Sequence, residues 1–121
     1  MVGFVRHLES AEQKAVFQWA ATQYRKHPEL RLMYAIPNGG FRNVREASRL
    51  KAEGVKAGVP DIHLPVANRP HIGLFIEMKR KGAKPRANQI EWLTGLAKLG
   101  HKCAVCFDWV EAAEVIRGYL K

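Results

Sequence analysis

Gly58-Val59-Pro60-Asp61 and, further along, Leu74-Phe75-Ile76-Glu77-Met78-Lys79 are the stretches that decide how this chain folds. Pro60 has no N–H to give to a ladder, which suits the entry of a strand, so Asp61 to Val66 reads as one. Ile72 to Met78 is a nearly continuous apolar run, the pattern of a central strand covered on both faces. Asn68-Arg69-Pro70 supplies a turn between them. Strand side chains alternate with period two, so Glu77 and Lys79 share a face, about 7 Å apart, and Met78 points the other way. A carboxylate alone in such a strand is costly, and a salt bridge to Lys79 is an expensive way to stabilise one. Two carboxylates and an ammonium on neighbouring strands suit a hard divalent cation, which takes one or two carboxylates and leaves its other positions to water and phosphate.

Outward from these strands, caps and periods give the rest. Ser10 with Gln13 forms a capping box, and Ala15, Val16, Trp19 and Ala20 give an inward face to a helix reaching about Lys26, ended by Pro28. Leu30 to Ile36 reads as a short strand closed by the turn Pro37-Asn38-Gly39-Gly40, whose amides are candidates to hold a phosphate. Asn43 and Glu46 cap a short basic helix that stops at Gly54. Arg86 to Leu99 is a long helix with Ile90, Leu93, Leu96 and Ala97 facing inward. Cys103 to Phe107 is a buried strand, and Asp108 with Glu111 caps a last helix ending at Leu120. The order is α-β-(α)-β-β-α-β-α: an α/β chain with a mixed central sheet flanked by helices, expected to form one domain over residues 1–121.

The formal charge of +9 on 121 residues is the second clue. Such an excess commonly marks a polyanion partner, because each neutralised phosphate releases condensed counterions. Lys79, Arg80, Lys81, Lys84 and Arg86 contain no acid among them, and Arg42, Arg45, Arg49, Lys51 and Lys56 are diluted only by Glu46 and Glu53. A solvated surface is the bland reading of any charge run. Here the two groups bracket the Asp61–Glu77 pair in sequence, which favours nucleic acid. No apolar run approaches the ~20 residues of a membrane span. Residues 1–9 carry no apolar stretch with a cleavage site, so a cytoplasmic address is expected.

With Pro-Asp and Glu-x-Lys on adjacent strands inside this order, the chain resembles the PD-(D/E)xK nuclease superfamily. More closely it resembles a stand-alone VRR-NUC (virus-type replication-repair nuclease) domain. The matching residues are Glu12 on the first helix, Gly58-x-Pro60-Asp61, Glu77-x-Lys79, and Gln89 with Trp92 and Leu93 on the following helix. The resemblance implies a restriction-endonuclease-like core in which Asp61, Glu77 and the Met78 backbone carbonyl ligate Mg²⁺ or Mn²⁺. It gives Lys79 the attacking water or the transition-state charge, Glu12 a place near the metal through water or on a second ion, and Gln89 the edge of the site. The family often has a Glu closely followed by a Gln on the first helix; Glu12 directly precedes Gln13, and Glu9 is the alternative acid. Plainer roles exist for each: a helix-dipole acid for Glu12, a turn for Asp61, a helix-start polar residue for Gln89.

The implied activity is metal-dependent, structure-selective DNA endonuclease chemistry, with branched or four-way-junction DNA favoured and a homodimer supplying two sites. Asn38, Arg42, Arg45, Arg49, Arg80, Lys81, Lys84 and Arg86 are the candidate DNA contacts. Phe4, Val5, Leu8, Trp109, Val115 and Tyr119 are candidate interface residues, unless they only complete the core. The alternatives are a non-catalytic basic module for branched DNA or ends, and an exonuclease of the same superfamily. Cys103 and Cys106 lack a second ligand pair for zinc and lie three apart in a strand, so they read as core thiols. His63 shares the Asp61 face, with a structural role expected.

Overall fold

The computed structural model describes residues 2–37 and 43–121, with side chains from Glu9 onward in the first helix. The elements run α1 (Val2–Thr22), a 3₁₀ turn (Pro28–Leu32), β1 (Tyr34–Ala35), α2 (Val44–Ala52), β2 (Ile62–Leu64), β3 (Leu74–Met78), α3 (Ala87–Lys98), β4 (Lys102–Cys106) and α4 (Trp109–Tyr119). The four strands form one mixed sheet in the order β1-β2-β3-β4. β1–β2 and β2–β3 pair antiparallel, while β3–β4 is parallel, crossing over through α3. This is the expected order of elements.

Period two sorts the sheet into faces. Ile62, Leu64, Leu74, Ile76, Met78 and Cys106 bury against Val16 and Ala20 of α1 and Ala112, Ile116 and Tyr119 of α4. All five residues of β3 are buried, as its unbroken apolar run requires of a strand covered on both sides. The α4 cap is as read: Asp108 accepts from the N–H of Glu111, and Glu111 in turn accepts from the N–H of Phe107. Asn43 likewise accepts from the N–H of Glu46 at the start of α2.

Four readings are corrected. Ser10 does not open α1, which begins at Val2 and carries Ser10 in its interior; a capping-box spelling is silent wherever the preceding residues also fold as helix. Pro28 does not end α1, which stops at Thr22. It starts the 3₁₀ turn instead, where a residue lacking an N–H loses nothing. The strand over Leu30–Ile36 shrinks to two residues because Leu30 is drawn into the core by that turn. Ile90 and Ala97 face solvent, since the residue of α3 that is fully buried is Gln89, with Leu93 and Leu96 half-buried. The turn at Asn38-Gly39-Gly40 and the residue Arg42 lie outside the described residues.

Both cysteines are free, Cys106 buried and Cys103 half-buried. No helix is long and apolar enough to cross a membrane among the described residues.

Candidate active site

The β2–β3 register opposes Ile62 to Ile76, which brings Asp61, one residue before β2, alongside Glu77. Asp61 is held by the backbone: its Oδ2 accepts from the N–H of Met78 at 2.7 Å. What lets the chain reach this point is Gly58. Its φ is +90°, and a Cβ there would lie 3.0 Å from the backbone C and O of Asn88 on α3. Only glycine allows the loop before Pro60 to turn that way and pass so close to the helix.

Glu77 is 2% exposed and Gln89 3% exposed, the two buried polar side chains that stand out among the described residues. They hold each other: Gln89 Nε2 donates to Glu77 Oε2 at 3.2 Å, while Gln89 Oε1 accepts from the N–H of Arg86 at 2.7 Å. The helix start thereby fixes the amide, and the amide fixes the carboxylate. With both acids ionised, Glu77 Oε1 is buried with no donor among the described residues. A proton shared between the acids makes a hydrogen bond there instead.

Burial, and then the Asp61 charge beside it, push the Glu77 carboxyl up to about 8, against the opposing pull of Lys79. Burial also raises Asp61, partly offset by the Met78 N–H. Two carboxylates pressed together, one of them buried, cannot both ionise cheaply without a cation. That orphaned oxygen and that mutual repulsion are the features a divalent cation would relieve. No group of three or more His, Cys, Asp or Glu fit to hold a metal occurs among the described residues. Mg²⁺ asks for less: one or two carboxylates and room for water. Asp61 and Glu77 fit it.

A cavity of about 670 Å³ opens over the pair. Its floor is Asp61, Glu77, Met78 and Lys79, one wall is Arg86 and Gln89, and the opposite wall is α1 with Glu9, Gln13 and Lys14. Glu9 faces the site, and its charge adds to the upward push on both carboxylates. Glu12 does not line the cavity. Its Oε1 accepts from the N–H of Trp109 at 2.8 Å, satisfying an otherwise orphaned donor at the start of α4. The acid that α1 brings to the site is therefore Glu9. Gln13 and Lys14 were missed by sequence reasoning, although Glu9 and Gln13 stand four apart and so share a helix face.

Arg80, Lys81, Lys84 and Arg86 are exposed along the loop from β3 to α3, beside the cavity, with Lys81 4.0 Å from Asp108. Arg45 and Arg49 are exposed on α2, where Arg49 pairs with Glu53 at 3.1 Å. No described residue of α2 lines the cavity. His63 joins a ladder of rings: its Nδ1 meets the Tyr34 hydroxyl at 2.7 Å, and its ring stacks on Phe75 with centroids 4.1 Å apart.

The family model for the VRR-NUC domain matches residues 5–107. The chain belongs to the VRR-NUC family. A solved structure described as a VRR_NUC domain protein is 29% identical, covering 93% of this chain and 88% of that one at a TM-score of 0.80. The sheet order and flanking helices are thus the restriction-endonuclease-like fold, and the protein is a member of a nuclease family. A search of curated proteins finds no match.

Proposed function

We propose that this VRR-NUC protein is a divalent-cation-dependent DNA endonuclease, acting as a homodimer on branched DNA such as four-way junctions. The observation that carries the reading is the pair of half-buried Asp61 and buried Glu77, with Lys79 beside it and Gln89 behind it, at the floor of one cavity. Asp61, Glu77 and the Met78 carbonyl would hold Mg²⁺ or Mn²⁺. When bound, such an ion supplies Lewis acidity to the scissile phosphate and a water that ionises near neutral pH.

The chain's own residues do the rest. Gln89 locks one Glu77 oxygen and leaves the other beside Asp61, where an ion would take the place of the shared proton. Lys79 donates to a non-bridging phosphate oxygen or to the attacking water, offsetting charge as the water oxygen bonds to phosphorus and the sugar oxygen departs. Glu9 receives ordered water at the rim, and Arg86 with Lys81 and Lys84 holds flanking phosphates. A binding module without catalysis has no use for two acids beside its phosphates, which repel the ligand.

Labelled linear, flapped and four-way-junction DNA, incubated with Mg²⁺, Mn²⁺ or EDTA, tests this. Cleavage is expected with either metal, absent in EDTA, and strongest on the junction. Cutting in EDTA, or binding with no cutting in any metal, rejects the reading; products shortened one nucleotide at a time from an end indicate an exonuclease.

A further inference from the structure

Two residues along the sheet from the acid pair, the same face changes character. Side chains of one face recur at every second position, so His63 follows Asp61 and Phe75 precedes Glu77, each about 7 Å away along its strand. The register sets Tyr34 opposite His63 and His63 opposite Phe75, a row of three rings across β1, β2 and β3. His63 lies flat on Phe75, with centroids 4.1 Å apart and planes 4° from parallel. Tyr34 stands beside it at 76°, with centroids 5.3 Å apart and its hydroxyl tied to His63 Nδ1 at 2.7 Å. Gly73 makes room for these rings: a Cβ there would lie 3.0 Å from His101 Nδ1 and 3.5 Å from His63 Nε2.

A row that only sealed the sheet would hide its outer ring. Phe75 is 8% exposed, but Tyr34 is 48% exposed. The bond to His63 fixes the orientation of the Tyr34 ring while its flank stays open, so little side-chain freedom is lost when a flat ligand arrives. Charge points to the kind of ligand. Residues 30–37, 62–76 and 100–107, which build this part of the sheet, carry Arg31, Arg69 and Lys102, all exposed, and no acid. Cations for a backbone and an aromatic face for a base are the two parts of a single-strand nucleic-acid site. A base inside a duplex is already stacked on both sides, so the base that lies on such a ring is unpaired. The spacing fits as well. The N–H of Ile36 donates to the Asp61 carbonyl at 2.8 Å, which ties β1 to the site end of the sheet. From there to the rings is about 7 Å, roughly two steps of a stacked strand at 3.4 Å each.

We propose that Tyr34 and His63, backed by Phe75, form a stacking platform for one unpaired nucleobase of the DNA, a step or two along the strand from the scissile phosphate. This deepens the proposed function and rests on its DNA substrate. It names the feature of branched DNA that the protein reads: an unpaired base beside the cut, which a continuous duplex does not offer.

The test is fluorescence anisotropy in EDTA, with a labelled duplex bearing a single-stranded flap and a fully paired duplex of the same length. Tyr34→Ala, checked for folding by circular dichroism, should bind the flapped DNA about tenfold more weakly and the paired duplex as the wild type does. Tyr34→Trp keeps a ring and should bind both as the wild type does. An abasic site moved one nucleotide at a time through the branch should weaken the wild type by a similar factor at one position and make no difference there to Tyr34→Ala. Should Tyr34→Ala not fold, Tyr34→Leu, which keeps the bulk without the π face, takes its place. Equal weakening on both DNAs, no weakening on the flap, or abasic effects that are the same with and without Tyr34 overturns the platform. Metal-dependent cutting of the flap with no dependence on Tyr34 strikes the platform alone. The Tyr34 dependence of binding, with no cutting in any metal, strikes the nuclease reading alone, and a wild type that binds neither DNA strikes both.

Discussion

The floor of the site and its α1 wall contrast in how firmly each is determined. Asp61, Glu77 and Lys79 sit where strand alternation puts them, and each carboxylate is held by a neighbour: a backbone N–H for Asp61, the Gln89 amide for Glu77. On α1 two acids three residues apart take different jobs. Glu9 faces the cavity and Glu12 ties α1 to the start of α4. A strand has two faces, and burial of one assigns the other. A helix has a whole circumference, and which acid meets the site depends on how it rolls against its partners.

The largest effect should fall on the floor. Glu77→Gln and Asp61→Asn are nearly isosteric and should reduce cleavage to background while DNA binding persists or tightens, since a negative charge near the phosphates is gone. Measured cleavage in Glu77→Gln at anything near wild-type rate would break the floor's claim to the chemistry. One step back, Gln89→Ala removes the group that orients a proposed metal ligand; activity should fall about 10–100-fold, with a higher metal requirement. Rescue by raised Mn²⁺ would separate loss of metal affinity from loss of the reaction.

The wall is tested by a pair of substitutions with opposite profiles. Glu9→Gln should change activity several-fold and move the pH profile down, because a negative neighbour of Glu77 is removed, with little change in stability. Glu12→Ala should cost about 1 kcal/mol by exposing the α4 start, as loss of a cap does, with kcat intact. Reversed outcomes, read by cleavage assays and urea melts, would return Glu12 to the site.

The smallest effect is on stability against pH. The Glu77 carboxyl is raised from 4.5 to about 8 in the folded, metal-free chain, so the unfolded chain releases this proton first as pH rises. Stability from this group is fully present below about pH 4.5 and declines up to about 8. Melting of metal-free wild type should therefore drop by several degrees between pH 5 and 8, and Glu77→Gln should flatten the curve. Saturating Mn²⁺ should restore the wild type at high pH; a flat wild-type curve without metal would contradict the buried acid pair.

How much of this was legible follows from the range of each signal. The apolar run of Leu74–Met78, the caps at Asn43 and Asp108, and the entry at Pro60 are local: a few residues mark the strand or satisfy the helix end, so the elements and the Asp61–Glu77–Lys79 set could be read from the chain alone. The start of α1 at Val2, the 3₁₀ turn at Pro28 and the outward face of Ile90 were not legible, because each depends on what lies across the core. Only the tertiary structure decided that Gly58 makes way for Asn88, that Gln89 reaches back to Glu77, and that Glu9 rather than Glu12 enters the cavity. The chain specifies which residue types are present and at what period. Roll, close approach and the burial that lifts Glu77 come from contacts between segments distant in sequence, where packing free energy outweighs local preference.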